Sequence, residues 1–577
     1  MSVMSPDQVA AALEEIAVLL ALRGENSFKV NAYHNAARTI EQLTANLTDL
    51  VAENRLGEVR GIGATIQGVV TSLVRDGRAP LLDELRAATP PGLVQMLRLP
   101  GLGPKKVRAL ADAGIADLEA LKAACERDDV ARLKGFGAKT QEKILAGLAF
   151  VAQAGQRIRL DEATVLAAGI VARLKKASGV RHIEPCGSLR RRRETVGDLD
   201  ILVSTADPHP VMEAFVALPG IGSVLSRGET LSSVTIPIGS GPNRTEFRAD
   251  LRVVSEKQFP FALAYFTGSK AHNVAMRSRA KERGWRLNEY GLSDVPCGTE
   301  ADIYKALDLE YVPPELREDT GEIEAAAAHH LPRLVTNKDI RGVFHNHTTA
   351  SDGAATLDEM AAAARDLGFE YLGIADHSQS LTVARGLTPD RVRQQQRAID
   401  ALNETFDGFR IFKGIECDIL ADGSLDFDDA VLATFDYVVA SVHTHFAMPR
   451  DEMTARMVRA VRHPLVTMLG HPTGRLLLRR DGYAVDLDVV LKAAAESGTM
   501  VEINAQPTRL DLDWIHCKKA KALGIPLVIN PDAHSTDELE LYTYGVDVAR
   551  RGWLEKKDVF NTKSLRQVEA ALRRAAK

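Results

Sequence analysis

Asp198 and Asp200 stand two residues apart at the head of an apolar run, within GSLRRRRETVGDLDILV at residues 187–203. The run ILV reads as a buried strand, and alternate strand residues share a face, so both carboxylates aim one way. Two like charges side by side call for a cation. Hard oxygen ligands beside a Gly-Ser turn (Gly187, Ser188) and four arginines suit Mg²⁺ bridging nucleotide phosphates, the anion being held by backbone amides and guanidinium groups.

A second constellation is rich in histidine. Strand-like runs after residue 338 end in metal-binding side chains: GVFHNH (342–347), YLGIADH (371–377), IFKGIE (411–416), YVVASVH (437–443), VTMLGH (466–471), VEIN (501–504) and PLVINPDAH (526–534). Helical segments follow them. Ligands at the carboxyl ends of alternating strands are the layout of a (β/α) barrel, here with seven strands.

A third pattern occurs three times: RGIGATI (60–66), LPGLGPKKV (99–107) and LKGFGAKT (133–140). Each copy is an apolar-flanked Gly-x-Gly turn that opens a helix, leaving backbone N–H groups free to bind phosphate without reading sequence. A single copy is equally well a plain helix corner; three copies, two followed by Lys105, Lys106 or Lys139, favour DNA. The motif resembles the helix-hairpin-helix, which makes Gly61, Gly63, Gly101, Gly103, Lys105, Gly135 and Gly137 candidate backbone contacts.

These elements must be carried by several domains, since 577 residues exceed one core. Helical periodicity with Gly breaks fills residues 1–152; strands such as HIEPCGSL, DLDILVS, SVTIPI and EFRADLRVV mark an α/β region over 153–260. The chain is read as helical parts over 1–88 and 89–152, the α/β part over 153–260, a mixed part over 261–318, a linker over 319–337 and the barrel over 338–577, the division at 88 following the family resemblance given below. The net charge of -5 does not advertise a nucleic-acid binder, although a total can hide local basic patches. Five scattered cysteines without CxxC spacing argue for reduced thiols and a cytoplasmic setting. No apolar stretch approaches the roughly 20 residues of a membrane span.

Residues 1–318 resemble the X-family DNA polymerases of the repair type, with lyase-like, fingers, palm and thumb parts. The likeness rests on GSLRRRRETVGDLDIL, FRADLRVV and YFTGSKAHNVAMRSRAKERGWRLNEYGL at 265–292. It implies a nucleotidyltransferase palm in which Asp250 completes a metal cage with Asp198 and Asp200, holding two Mg²⁺, while Arg248 orients Asp250. It puts Arg157, Gly187, Ser188, Arg191 and Gly197 against the triphosphate, Tyr265 and Phe266 against the sugar, Asn273 at the base and Arg277 at the template strand. Arg192 stands where the family often has glycine, and solvent or a phosphate are both open to it. Val69 and Thr65 occupy positions where lyase-active relatives carry lysines, so little or no deoxyribose-phosphate lyase activity is expected.

Residues 338–577 resemble the polymerase-and-histidinol-phosphatase (PHP) family of phosphoesterases. The matching residues are His345, His347, Asp352, His377, Glu416, His443, His471, Asp532 and His534. Imidazoles with carboxylates suit Mn²⁺, Zn²⁺ or Fe²⁺, and nine donors are too many for one ion. The family pattern implies up to three: one on His345, His347, Glu416 and Asp532, one on Glu416, His443 and His471, one on Asp352, His377 and His534. His445 is open to a substrate-contacting or a structural role, and Arg509 to holding a phosphate.

The expected protein is therefore a multidomain α+β and α/β chain: a helix-hairpin-helix region, a palm with thumb, and a (β/α)7 barrel. It fills short gaps in DNA using dNTPs, in base-excision repair, and processes 3′ ends as a 3′-5′ exonuclease, 3′-phosphatase or abasic-site endonuclease. A monomer is expected. The rival reading is a DNA phosphoesterase whose polymerase part only binds DNA.

Overall fold

Leu13, Ile16 and Leu20, and again Val70 and Leu73, recur at three- and four-residue steps, and all are buried. That periodicity gives helices an apolar stripe that must find a partner. In the computed structural model, which describes residues 4, 6–41, 47–59, 61–97, 99, 102–154, 157–239 and 245–575, the described residues between 4 and 154 form only helices and turns. Helices Pro6–Leu22, Ser27–Glu41 and Ala64–Asp76 enclose one apolar cluster. Helices Pro104–Asp112, Leu118–Glu126 and Ala138–Ala154 contribute to a second, around Val107, Leu110, Leu121 and Ile144.

The chain divides into two units, Met1–Gln156 with Ile238–Thr245 and Arg157–Pro237 with Glu246–Lys577. The second unit begins with the short strands β1 (Ile158–Arg159) and β3 (Thr195–Val196), paired antiparallel. Its first large sheet has the order β2 (His182–Pro185), β4 (Leu199–Ser204), β7 (Thr245–Val254), β6 (Leu231–Ile238), β5 (Ser223–Arg227). β4 runs antiparallel to β2 and parallel to β7, and its Ile201, Leu202 and Val203 are buried.

Helices Phe259–Thr267, Lys270–Glu282 and Glu300–Ala306, with the hairpin β8 (Leu287–Asn288) and β9 (Gly291–Leu292), follow around Phe261, Met276, Ile303 and Leu307. Ile323, Ala326 and Leu334, from the segment expected to be a linker, pack into this same core.

Seven parallel strands then follow in chain order: β10 (Gly342–Asn346), β11 (Tyr371–Ile374), β12 (Arg410–Asp418), β13 (Tyr437–Ser441), β14 (Met468–Leu469), β15 (Met500–Asn504) and β16 (Leu527–Asn530). A parallel bridge between Asn346 and Ala533 brings the first strand to the last, nearly closing the barrel. Every residue of β10, β11, β13 and β15 is buried, as strands covered on both faces must be. Tyr437 fills space that Gly373 and Gly414 leave open; a Cβ at Gly414 would lie 2.2 Å from its ring. No described helix is long and apolar enough to cross a membrane.

Candidate functional site

The parallel register of β4 with β7 sets Asp200 opposite Asp250, while Asp198 immediately precedes β4. Asp250 is 5% exposed and takes both its hydrogen bonds from Arg248, Nε to Oδ1 at 2.8 Å and Nη2 to Oδ2 at 2.9 Å. Burial, together with the charges of Asp198 and Asp250, pushes the Asp200 carboxyl up to about 6. Three acids held this close are a site short of positive charge. Gly187 faces them with φ +62°, and a Cβ there would sit 2.7 Å from Asp200 Oδ2.

An open cleft of about 520 Å³ adjoins the carboxylates. Asp198, Asp200, Arg157, Gly187, Ser188, Arg191, Gly197, Tyr265, Phe266, Asn273 and Arg277 all line it. Arg157 is fixed by Thr195, through Nε to Oγ1 at 2.8 Å and Nη2 to the carbonyl at 2.5 Å. Asn273 Nδ2 donates to the Tyr265 carbonyl at 2.7 Å, and Arg277 Nε to the Asn273 carbonyl at 3.3 Å. Tyr265 and Phe266 meet edge to face at 5.2 Å, with the Arg252 guanidinium 4.4 Å above the Phe266 ring. Arg193 and Lys270, which sequence reasoning did not single out, add positive charge to the cleft wall.

The four-arginine run does not form one basic edge. Arg190 pairs with both oxygens of Glu300, at 2.9 and 2.5 Å. Arg191 donates from Nε to Glu318 at 3.1 Å and from Nη1 to the Thr267 carbonyl at 2.5 Å. Arg192, at φ +56°, keeps 38% of its side chain exposed while its Nε lies 3.6 Å from Asp547 of the barrel region.

At the carboxyl ends of the barrel strands the nine polar candidates converge. Their donor atoms form three groups, each within 4.8 Å: His347, Asp352, His377 and His534; His345, His347 and Asp532; His377, Glu416 and His443. His471 Nε2 lies 2.9 Å from Glu416 Oε1. His347 and His377 thus each serve two groups, whereas the family pattern shares Glu416 between two ions. His345, His471 and Asp532 have φ of +56°, +21° and +52°, a left-handed backbone that the surrounding structure must enforce.

The electrostatics call for cations. Burial opposes protonation, yet Glu416 and Asp352 raise His377 to about 10, and Glu416 and Asp418 raise His443 to about 9. His347, buried beside His534 and His377, falls to about 4. Among the described residues, His345 Nε2 and the Nδ1 atoms of His347 and His377 are buried and make no hydrogen bond of proper geometry. Orphaned imidazole nitrogens beside an excess of carboxylate fit divalent metals.

Sequence reasoning missed an outer ring of carboxylates. Glu502 Oε1 accepts from His345 Nδ1 at 2.6 Å, and Asp418 Oδ1 pairs with His443 Nδ1 at 2.5 Å. Such partners fix the tautomer and the orientation of a metal-binding ring. The available signal was a fully buried acid inside an apolar strand, as in VEIN. Arg509 Nε lies 3.8 Å from Asp532 Oδ2. His445 is exposed, with its Nδ1 3.1 Å from Thr444 Oγ1 and its carbonyl accepting from the Met448 N–H.

In the first unit, Gly63 and Gly103 are the residues before helices Ala64–Asp76 and Pro104–Asp112, and the Gly137 carbonyl accepts from Thr140 and Gln141. A Cβ on Gly63, Gly103 or Gly137 would meet nothing within 4 Å, so internal packing does not demand glycine there. Gly61 and Gly135 take positive φ, +98° and +87°. Lys105 lies in the first turn of its helix, and Gly101 lies outside the described residues. Val69 is buried in the helical core.

Residues 4–79 match the model of a helix-hairpin-helix domain, 94–149 a SAM-like helix-hairpin-helix tandem, 262–318 the DNA polymerase beta thumb, and 344–506 the PHP domain. The chain is 42% identical over 578 residues to the DNA polymerase/3′-5′ exonuclease PolX of Bacillus subtilis (strain 168), covering 99% of this chain and 100% of that protein. It is 28% identical over 229 residues to a probable phosphatase of Thermoanaerobacter sp. (strain X514), 38% of this chain and 89% of that protein. A probable phosphatase of Acetivibrio thermocellus is 29% identical over 205 residues, 34% of this chain and 80% of that protein.

Proposed function

Because this chain belongs to the X-family DNA polymerases that carry a PHP domain, we propose that it fills short gaps in template-directed DNA repair and processes 3′ ends in its barrel. The observation that carries the polymerase reading is the cleft beside Asp198 and Asp200, lined by all the candidate nucleotide contacts. Asp198, Asp200 and Asp250 would hold two Mg²⁺, which when bound neutralise the triphosphate and stabilise the attacking and leaving oxygens. Arg248 locks Asp250, whose carboxylate accepts the proton of the primer 3′-hydroxyl. Arg157, Ser188 and Arg191 hold phosphate oxygens, with Gly187 and Gly197 giving close backbone approach. Tyr265 and Phe266 pack on the sugar, Asn273 reads the base edge and Arg277 holds the template.

In the barrel, His345, His347, Asp352, His377, Glu416, His443, His471, Asp532 and His534 would hold up to three ions, Mn²⁺ or Zn²⁺, which when bound activate water toward phosphorus. Glu502 and Asp418 keep His345 and His443 aligned, and Arg509 takes a phosphate oxygen. The substrate is DNA, at its 3′ end as exonuclease or phosphatase, or at an abasic site as endonuclease. Gly61, Gly63, Gly101, Gly103, Lys105, Gly135 and Gly137 grip the DNA backbone. The buried Val69 supports the absence of lyase chemistry, since no amine stands there. We place the protein in the cytoplasm, as a monomer acting on gapped DNA and dNTPs, with functional boundaries near 88, 152, 260, 318 and 337.

A time course on 5′-labelled gapped DNA, with Mg²⁺ or Mn²⁺ and with or without dNTPs, tests both halves. Asp200→Ala is expected to abolish extension and keep 3′ trimming; His345→Ala is expected to do the reverse. Unchanged extension in Asp200→Ala would favour the phosphoesterase-only reading.

A further inference from the structure

Arg551 closes the barrel-region helix Tyr542–Arg551 and is 1% exposed. A buried guanidinium is costly unless its donors are satisfied. Its Nε and Nη2 have no partner among the described residues. The hydrogen bonds it does make both leave the barrel: Nη1 donates to the Arg191 carbonyl at 2.6 Å and to Glu318 Oε1 at 3.1 Å. Glu318 Oε1 is the same atom that accepts from Arg191 Nε, at 3.1 Å. Trp514 packs against the guanidinium, 5.1 Å away.

The same helix makes two more links of this kind. Arg550 Nε donates to Glu315 Oε1 at 2.8 Å, and Asp547 lies 3.6 Å from Arg192. Positions 547, 550 and 551 share one helix face. That face therefore meets the arginine run and the segment after the thumb helices with matched charges. On the far side of Arg191, Nη2 makes no hydrogen bond among the described residues, and the side chain borders the nucleotide cleft.

We propose that Arg551 is a positioning residue for the polymerase: it clamps Glu318 and the Arg191 backbone, and so orients the Arg191 guanidinium toward the triphosphate. The barrel is then a structural part of the nucleotide site. This rests on the reading of Arg191 as a triphosphate ligand. Arg551 touches no substrate and acts only through Arg191 and Glu318.

The test uses the full chain on a one-nucleotide gapped duplex with Mg²⁺. It measures kcat and KM for the matching dNTP, affinity for the gapped DNA, and 3′-trimming rate. Arg551→Met raises the dNTP KM about tenfold, the effect of one lost charge-assisted hydrogen bond, and leaves kcat within about twofold. DNA affinity and trimming stay unchanged, which a general loosening of the fold would not allow. Arg551→Lys recovers part of the KM. Arg191→Ala raises KM at least as far, and the double variant no further, because both changes act through one group.

If Arg191→Ala leaves the dNTP KM unchanged, the triphosphate reading of Arg191 is overturned and the coupling with it. If Arg191→Ala raises KM while Arg551→Met and Glu318→Gln do not, the coupling alone is overturned. Should Arg551→Met lose both trimming and its thermal transition, Glu318→Gln decides: a raised dNTP KM with trimming intact supports the clamp, and a wild-type KM refutes it.

Discussion

Replacing Gly187 with alanine separates two effects that the structure predicts to differ in size. The backbone cost of φ +62° for a residue with a Cβ is about 1–2 kcal/mol. The Cβ would also press on Asp200 Oδ2 at 2.7 Å, against an ordinary contact of about 3.5 Å or more, so the carboxylate must shift by nearly 1 Å. A displacement of that size in a reacting centre costs about 100-fold in rate, which is about 2.7 kcal/mol of barrier. Gly220 supplies the control: its φ is +87°, and its Cβ would meet nothing within 4 Å. Both variants should lose about the same stability in urea unfolding, while only Gly187→Ala loses gap filling by about 100-fold, with 3′ trimming intact in each. Gap filling by Gly187→Ala within about twofold of wild type, or an equal loss in Gly220→Ala, would refute the argument.

Glu502→Gln should weaken metal activation of 3′ trimming by about 10- to 100-fold, read as a shift in the Mn²⁺ titration, and leave extension unchanged; an unshifted titration would show that the His345 partner is dispensable. Burial raises Asp547 to about 6 despite Arg192, so its contribution is fully present below about pH 4 and lost as pH rises through 6. Asp547→Asn should therefore gain about 2 kcal/mol relative to wild type between pH 4.5 and 7.5 in urea unfolding, and a pH-independent difference would contradict this. Borohydride treatment with abasic DNA should trap no covalent adduct, and a trapped adduct would restore a lyase.

Local spacing carried Asp198 and Asp200, because two residues on one strand share a face whatever the rest of the fold does. Asp250 joins them only through the β4–β7 register, and a family likeness, not the residues alone, pointed to it. The barrel ligands were legible because all but Asp352 lie at the carboxyl ends of strand-like runs. Glu502 and Asp418 were not, since a single acid inside a strand looks the same whether it meets a metal, a histidine or water. Arg192 was open in the sequence because its partner is remote: Asp547 belongs to a helix of the barrel region. The run RRRR reads as one patch, yet its members go to Glu300, to Glu318 and Thr267, to Asp547 and to the cleft wall.

The clamp on Arg191 also has a consequence for biosynthesis. Arg551 is 360 residues downstream of the carbonyl it holds. At roughly 5–20 residues per second, it leaves the ribosome roughly 20–70 s after Arg191. The palm can pair Asp200 with Asp250 long before that, but the proposed triphosphate pocket would stay unbraced until the barrel has folded. A nascent chain would thus acquire its catalytic carboxylates first and its grip on the nucleotide last, so incomplete chains would be poor polymerases even with an intact palm.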